Sequence, residues 1–117
     1  MEEDKRYNKV YGDIGESISK NYLIGVGYKI VKTNFKNKLG EIDIIAYDDD
    51  VLVFVEVKYR KNSYFGLPRE AVNTEKQRKI RMVATSYINR YKLFNKACRF
   101  DVLEILDREV TLIKDCF

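Results

Sequence analysis

Two acidic residues and a lysine lie at positions that a pair of strands would bring together. Carboxylate and ammonium side chains suit phosphate chemistry. They lie in Gly40–Arg60, GEIDIIAYDDDVLVFVEVKYR, which reads as two apolar strands joined by an acidic turn. Pairing the strands across a two-residue turn places Asp43 opposite Glu56, with Lys58 two residues further along the same face. Directly opposed carboxylates repel one another. A divalent cation would neutralise them, and hard carboxylate oxygens suit Mg²⁺ or Mn²⁺.

The register of this hairpin is read from the way it separates polar from apolar residues. A turn at Asp49–Asp50 sets a pairing that runs back to Glu41 opposite Lys58. The same pairing collects apolar residues on one face: Ile42, Ile44, Ala46, Val51, Val53, Val55 and Val57. A slip of one residue would destroy this separation. The alternative to a metal site is a surface salt-bridge ladder, because a glutamate and a lysine two residues apart on a strand are common.

Composition narrows the kinds of site that the chain can build. Its 117 residues include 22 basic and 18 acidic residues, two cysteines and no histidine. The absence of histidine excludes an imidazole base, a Ser-His-Asp triad and an imidazole metal ligand. Two cysteines cannot complete a four-ligand zinc site. Any metal must therefore be held by oxygen, and we expect neither zinc nor an organic cofactor.

A basic stretch follows the acid pair. Between Lys58 and Arg81 there are eight basic residues and two acidic ones. A local positive field of this kind favours a polyanionic partner such as nucleic acid. A solvated helix face in a basic protein explains the same charges equally well. The candidate nucleic-acid-binding residues are Arg60, Lys61, Arg69, Lys76, Arg78, Lys79 and Arg81.

Two helices are expected from apolar residues at helical spacing. The first runs from about Tyr7 to Ile24, and its apolar stripe is Tyr11, Ile14, Ile18 and Tyr22. The second begins at a capping-box pattern, Thr74 to Gln77. Its apolar stripe is Ile80, Val83, Ala84, Tyr87, Ile88 and Tyr91. Lys76 and Gln77 fall on the side of that stripe, so they should point from the helix N-terminus towards the sheet.

Five strands complete the expected architecture. They are Tyr28–Phe35, the two strands of the acid-bearing hairpin, Cys98–Leu106 and Glu109–Lys114, with a loop around Phe65–Pro68 before the second helix. The order α-β-β-β-α-β-β combines a three-strand antiparallel meander with a helical crossover, which can return a strand parallel to its neighbour. We predict an α/β fold with a mixed central sheet flanked by helices, in a single domain spanning residues 1–117.

The N-terminal sequence MEEDKRYNKV is polar and acidic, without the apolar stretch of a secretory signal. The longest apolar run, Val51–Val55, is too short to span a bilayer. We therefore expect a soluble cytoplasmic protein with no membrane partner.

The acid-bearing hairpin belongs to a wider pattern. Asp43 followed by Glu56-Val57-Lys58 resembles the PD-(D/E)xK signature of the restriction-endonuclease-like nucleases, with Ile42 in place of the proline of the literal motif. Blocks along nearly the whole chain are similar to the YraN-like family of small bacterial proteins: Gly15-Glu16, Tyr22-Leu23, Gly27-Tyr28, Asn34, Gly40-Glu41-Ile42-Asp43, Phe54-Val55-Glu56-Val57-Lys58, Arg60, Phe65-Gly66, Lys76 and Arg99-Phe100-Asp101. Ser19 and Tyr59 depart from the residues expected in that family.

The resemblance implies a restriction-endonuclease-like core close to that of archaeal Holliday-junction resolvases. It implies that Asp43 and Glu56 are metal ligands, helped by the backbone carbonyl of Val57. Lys58 would orient or activate the attacking water. A homodimer is implied by the same analogy with resolvases.

The resemblance also assigns roles to two helical positions. Glu16, on the first helix, matches an acid that such folds often contribute to the metal. Helical spacing does not support this role independently, because Glu16 lies off the stripe defined by Ile14 and Ile18. Gln77, together with Lys76, matches a position on the second helix that often assists catalysis.

These observations favour a metal-dependent endonuclease that hydrolyses phosphodiester bonds in DNA, as in repair or recombination. No base-reading helix is recognisable, so selectivity for structure, such as branched or junction DNA, is expected over selectivity for sequence. Aromatic residues Tyr59, Tyr64 and Phe65 could stack on a displaced base. The alternatives are a non-catalytic nucleic-acid-binding module on the same fold, and an interaction protein that uses Thr111–Phe117 as an edge strand.

Overall fold

The structure of the protein is a computed structural model that describes residues 5–60, 72–107 and 109–117, with the backbone alone described for residues 5–13 and for Arg60. The loop expected around Phe65–Pro68 lies outside these ranges. So do several residues of the predicted nucleic-acid surface: Lys61, Tyr64, Phe65 and Arg69.

The elements follow one another in the predicted order α-β-β-β-α-β-β. They are α1 (Lys5–Gly25), β1 (Lys29–Asn37), β2 (Gly40–Asp48), β3 (Val51–Arg60), α2 (Thr74–Tyr91), β4 (Cys98–Leu106) and β5 (Glu109–Ile113). The strands form a mixed sheet in the order β1-β2-β3-β4-β5, with β3 and β4 parallel and the other neighbours antiparallel. The predicted α/β fold is confirmed, and the arrangement is consistent with a nuclease-like core.

The hairpin of β2 and β3 has the predicted register. Asp48 pairs with Val51 across a turn at Asp49–Asp50, and Ile45 pairs with Phe54. Asp49 has a φ of 52°, a left-handed conformation that aspartate tolerates better than most residues. A short acidic turn between two β-branched runs therefore determines which side chains share a face.

The sheet has a core on each of its faces. On the face covered by α2, Phe54 stacks on Phe100 with ring centroids 5.5 Å apart and meets the edge of Tyr87 at 6.0 Å. On the other face, Leu23 of α1 packs with Tyr28 and with apolar residues of the central strands: Ile44, Ala46, Val53, Val55 and Leu103. Each fully buried side chain of this size contributes about 1.5–3 kcal/mol.

The alternation of β2 breaks at Asp43. Ile42 and Ile45 both pack in the core on the α2 face, whereas Ile44 packs in the core on the α1 face. In β1, Asn34 has a φ of 53°, and its two neighbours pair with the two neighbours of Asp43. The prediction that Ile42 shares a face with Ile44 is therefore wrong, because both strands change face at this left-handed residue.

The buried face of α1 also differs from the prediction. Ile14 and Ile18 are exposed by 53% and 38%. The side turned to the sheet carries Gly15, Ser19 and Leu23, all of them buried. The hydroxyl of Ser19 donates to the Gly15 carbonyl at 2.6 Å, so this buried polar group is satisfied within the helix. Small residues let α1 approach closely, and they leave no hydrophobic period in the sequence.

Helix α2 buries the predicted stripe as far as Tyr87, whereas Ile88 is half-buried and Tyr91 is exposed. The helix also begins differently. Ile80, Val83, Ala84 and Tyr87 are buried. The N-cap is Asn73 and not Thr74, because the Asn73 side chain accepts from the Lys76 N–H at 2.8 Å. Capping by asparagine is worth about 1 kcal/mol. Within the described residues, neither helix is long and apolar enough to cross a membrane.

A polar network joins the start of β4 to the C-terminal segment. Asp101 is fully buried and accepts from the hydroxyl of Tyr28 at 2.7 Å, from Arg99 at 3.0 Å and from the Asp115 N–H at 2.9 Å. Arg99 also donates to Asp48 at 2.7 Å. The buried carboxylate is therefore paired and hydrogen-bonded, as its burial requires.

Candidate active site

The acids predicted from the hairpin lie where β2 and β3 separate. Backbone pairing between the two strands extends as far as Ile44 and Val55. Beyond this point the Asp43 carboxylate accepts from the Val57 N–H at 2.8 Å, which replaces a ladder hydrogen bond by a side-chain one. The opening holds the Asp43 carboxylate beside β3, next to Glu56. Sequence reasoning from the hairpin predicted this proximity.

The expected pairing of Glu41 with Lys58 is not formed in the described ladder. Glu41 is exposed and its backbone pairs with Lys36 of β1. The strands have separated before they reach this position, so the register of the hairpin no longer applies there. Lys58 is half-buried, and its ammonium lies 3.7 Å from a carboxylate oxygen of Glu56.

Glu56 is the most enclosed acid of this site, with an exposed fraction of 6%. Its carboxylate lies 3.4 Å from the ammonium of Lys76 and 3.7 Å from that of Lys58. Burial, followed by the charge of Asp43, raises the pKa of Glu56 to about 7, although the two lysines act in the opposite direction. A hydrogen bond between the two carboxyl groups raises that pKa further. Glu56 is therefore partly protonated near neutral pH.

Lys76 reaches the site from the first turn of α2. Its approach to Glu56 confirms the prediction that this residue points from the helix N-terminus towards the sheet. Gln77 is also half-buried, but its side-chain amide donates to the Val72 carbonyl at 2.8 Å. Gln77 thus holds the chain at the entry of α2, and the structure gives it no contact with the acids.

Glu16 is half-buried on α1, beside the small-residue face that meets the sheet. Its carboxylate accepts from the side-chain amide of Asn34 at 3.1 Å. In the described part of the chain, no three acids, histidines or cysteines lie close enough together to hold a metal ion. The structure therefore does not bring Glu16 together with Asp43 and Glu56 as a third ligand, and its role stays a prediction.

Tyr59, which the sequence offered only as an aromatic residue that could stack on a base, links α1 to the acids. A Cβ built on Gly15 would overlap the Tyr59 hydroxyl, so the ring occupies the space that this glycine leaves. Burial, then the charges of Asp43 and Glu16, raises the pKa of Tyr59. The phenol thus lies near both acids. The sequence signal was a glycine within a helix, which costs about 1 kcal/mol relative to alanine and needs a packing reason.

Glu104 is a second buried acid that sequence reasoning did not select. It is exposed by 6% and stands in β4 beside Lys58 in the parallel register of β3 and β4. Val102, two residues earlier, packs in the core on the α2 face, so Glu104 faces the same side as Glu56. The sequence signal for this buried acid was a glutamate inside the otherwise apolar run Val102–Leu106.

Some side chains of the predicted basic surface already contact other groups of the protein. Arg78 donates to Glu75 at 2.7 Å, and the Arg81 guanidinium lies over the rings of Phe100 and Phe117 at 5.7 and 5.5 Å. Lys79 is exposed.

The donor chemistry fits a small divalent cation. Two carboxylates in contact in an enclosed setting repel one another when both are ionised, and a cation between them removes that repulsion. Hard oxygen ligands of this kind suit Mg²⁺ or Mn²⁺. The backbone carbonyl of Val57 remains a predicted third donor.

Comparison with known proteins places the chain in a family. The profile described as "Uncharacterised protein family UPF0102" matches residues 15–105. A UPF0102 protein of Clostridium tetani is 47% identical over 117 residues, covering 95% of this chain and 96% of the relative. A UPF0102 protein of Alkaliphilus metalliredigens is 43% identical over 113 residues, covering 94% of this chain and 99% of the relative. One of Clostridioides difficile is 46% identical over 112 residues, covering 94% and 98%. With the family profile and the full-length relatives in agreement, the chain belongs to the UPF0102 family, the YraN-like proteins indicated by its sequence blocks.

Proposed function

We propose that this protein is a metal-dependent endonuclease that hydrolyses phosphodiester bonds in DNA. The observation that carries the proposal is the contact between Asp43 and Glu56 where β2 and β3 separate, with Lys58 and Lys76 beside it. A buried pair of acids costs stability unless a partner neutralises it. Acids and lysines placed at the open end of a strand pair can bind a cation and a phosphate together.

Asp43 and Glu56 would hold the metal, with the Val57 carbonyl as a further ligand and Glu16 as a candidate acid from α1. When bound, Mg²⁺ or Mn²⁺ supplies Lewis-acid polarisation of a phosphate and lowers the pKa of a coordinated water. The enclosure of Glu56 keeps solvent from competing for the site. No zinc and no organic cofactor enter this proposal.

Lys58 and Lys76 contribute positive charge on the side of Glu56. An ammonium group near a phosphate stabilises the negative charge that develops as the phosphodiester bond breaks. Lys58 is the better placed of the two to orient a water molecule, because it stands on the same strand and face as Glu56. Lys76 is more exposed and suits contact with a neighbouring phosphate.

The substrate proposed is DNA with branched or junction structure, at a cytoplasmic location. Lys79, Arg78 and Arg81 on α2 would contact flanking phosphates, which gives affinity without reading bases. A two-fold homodimer would present two such sites to the two strands of a junction. The selectivity for structure is expected because the sequence contains no recognisable base-reading helix, and the dimer comes from the nuclease resemblance.

The decisive experiment is cleavage of labelled linear, flapped and four-way DNA in Mg²⁺ or Mn²⁺. We expect cleavage by the wild type, and a loss of at least about 100-fold with Asp43→Asn and with Lys58→Ala. Glu75→Gln is the matched control, because Glu75 is an exposed acid that pairs with Arg78 on α2. Metal should also raise the melting temperature of the wild type and not that of Asp43→Asn. Cleavage that survives Asp43→Asn would remove Asp43 from the site.

The second candidate is a nucleic-acid-binding module without catalysis. It is favoured by the ion pairs of Glu56 with Lys58 and Lys76, which partly neutralise the acid without any metal. It predicts DNA binding that EDTA leaves unchanged, no cleavage of any substrate, and no thermal shift with Mg²⁺ or Mn²⁺.

A further inference from the structure

A run of lysines follows the edge of the sheet. Residues 26–40 contain four lysines and neither aspartate nor glutamate: Lys29, Lys32, Lys36 and Lys38. All four side chains are exposed, and none forms an ion pair with any residue in the described ranges. We call this set the lysine edge. β1 is the first strand of the sheet and pairs on one side with β2.

The lysine edge differs from the basic stretch on α2, where protein groups already engage much of the charge. Lys76 pairs with Glu56, Arg78 pairs with Glu75, and Arg81 lies over two aromatic rings. A cation that is paired within the protein must give up that partner before it neutralises a phosphate. Lys32 lies over the Phe35 ring at 5.4 Å, but none of the four lysines has a carboxylate partner among the described residues that it must give up. They are therefore better placed to bind a polyanion.

The lysine edge passes directly beside the candidate active site. Asn34 lies between Lys32 and Lys36, and the neighbours of Asn34 pair with those of Asp43. Adjacent strands lie about 4.8 Å apart, and each strand residue adds about 3.3 Å, so Lys32 and Lys36 stand about 7 Å to either side of Asn34 along β1. The Asn34 side chain also donates to Glu16.

We propose that the lysine edge is a second contact surface for the phosphodiester backbone of the nucleic acid bound at Asp43 and Glu56, an inference that rests on the proposed function. From Lys29 to its end at Asn37, β1 covers about 26 Å at about 3.3 Å per residue, and Lys38 follows in the turn. A DNA strand presents a phosphate about every 3.4 Å along the duplex axis, so several phosphates fall within this length. The contacts carry no base information and position the backbone across the site.

Lysine on an edge strand has a second physical use, which is to prevent pairing with the edge of another molecule. In that case the lysines would protect against aggregation and contribute nothing to affinity for DNA. The two roles can be distinguished by neutral substitutions. If the lysines bind DNA, the substitutions change the salt dependence of DNA binding. If the lysines protect the edge, the substitutions change the oligomeric state.

The test is DNA binding by fluorescence anisotropy in EDTA, over a range of salt concentrations, with the double variant Lys32→Gln/Lys36→Gln. Arg90→Gln/Lys92→Gln is the matched control, because it removes two exposed charges at the C-terminal end of α2, about 20 Å along the helix from Lys76. We expect the lysine-edge variant to weaken binding by about tenfold or more near 0.1 M salt, and to reduce the slope of log K against log salt by about 1.8. The control should change the slope by much less.

Equal losses in the two double variants would overturn the proposal, since net charge alone would then explain them. Unchanged affinity, with aggregation of the lysine-edge variant in size-exclusion chromatography, would assign the lysines to edge protection and overturn it as well. Because DNA binding is measured in EDTA, its result does not depend on whether the protein cleaves DNA. Weakened binding by the lysine-edge variant of a protein that cleaves nothing would support the surface and remove the nuclease. Normal cleavage with unchanged binding would remove the surface alone.

Discussion

At the scale of residues, the candidate site depends on the enclosure of Glu56 beside Asp43. An exposed pair of acids would separate into water, but the Asp43 carboxylate is held by the Val57 N–H and Glu56 is buried. Lys58 and Lys76 reduce the cost of this arrangement and do not remove it, since the pKa of Glu56 still rises to about 7. At neutral pH this pair of acids therefore destabilises the protein, and the proposed cation would relieve that cost.

The first prediction concerns the pH dependence of stability without metal. The pKa of Glu56 rises from about 4.5 to about 7 on folding, so the folded protein holds the proton more tightly than the unfolded chain. The contribution of Glu56 to the free energy of unfolding is fully present below pH 4.5 and is lost as the pH rises through 7. Glu56→Gln stays neutral, so at pH 8 in EDTA it should be more stable than the wild type by about 1–3 kcal/mol.

Urea unfolding followed by circular dichroism from pH 4 to 8 measures this difference in free energy. The advantage of Glu56→Gln should shrink as the pH falls and vanish near 4.5. Glu75→Gln serves as the control on an exposed acid. A difference that does not depend on pH would contradict the raised pKa.

At the scale of elements, the position of α1 depends on the small side chains of the face that it turns to the sheet. Gly15 leaves room for the Tyr59 hydroxyl, and Ser19 bonds to its own helix, so the helix comes close to the end of β3 where the acids lie. The approach places Glu16 near Tyr59 and Asn34. A helix packed through bulky residues would hold Glu16 further from the sheet.

The second prediction is a coupling between Gly15 and Tyr59. In an isolated helix, Gly15→Ala would stabilise by about 1 kcal/mol. Here the new methyl group must displace the Tyr59 ring, so the substitution should be less favourable with Tyr59 present than in the Tyr59→Ala background, by about 1–2 kcal/mol. A double-mutant cycle of unfolding free energies measures the coupling. Additive effects would show that the ring does not pack on this glycine.

At the scale of the whole molecule, the two faces of the sheet hold buried acids in different ways. On the face covered by α2, Glu56 lies beside Asp43 with incomplete neutralisation. On the face covered by α1, Asp101 pairs in register with Val55 and lies in a satisfied network with Arg99, Tyr28 and the Asp115 N–H, which ties the C-terminal segment to β4. Two buried acids on neighbouring strands therefore differ in how far the protein itself neutralises them.

The third prediction separates these two acids. Asp101→Asn removes the charge that balances Arg99 and should cost about 2–4 kcal/mol of unfolding free energy. The same substitution should leave the Mg²⁺ affinity of the folded protein unchanged within about twofold, since the Asp101 network faces α1 and Glu56 faces α2. Chemical unfolding and metal titration well below the melting temperature measure the two quantities. A loss of metal affinity equal to that of Asp43→Asn would show that the two faces are coupled.

Three features of the fold could be predicted from the residues alone: the order of the elements, the register of the hairpin and most of the buried stripe of α2. Each of these depends on a local period. Alternation around Asp49–Asp50 allowed one register, and apolar residues at helical spacing marked the face of α2. The proximity of Asp43 to Glu56 followed from the hairpin alone, because a strand pair is a local structure. The sequence blocks were enough to identify the family.

Only the tertiary structure decided which face of α1 is buried, how β2 changes face at Asp43, and which side chains enclose Glu56. The face of α1 carries small residues that produce no hydrophobic period. The change of face depends on a left-handed Asn34, a conformation that no residue type specifies by itself. Lys76 and Glu56 are twenty positions apart and meet only because α2 packs on the sheet. A local period can predict an element, but the partners that tune a charge are brought together by packing between elements.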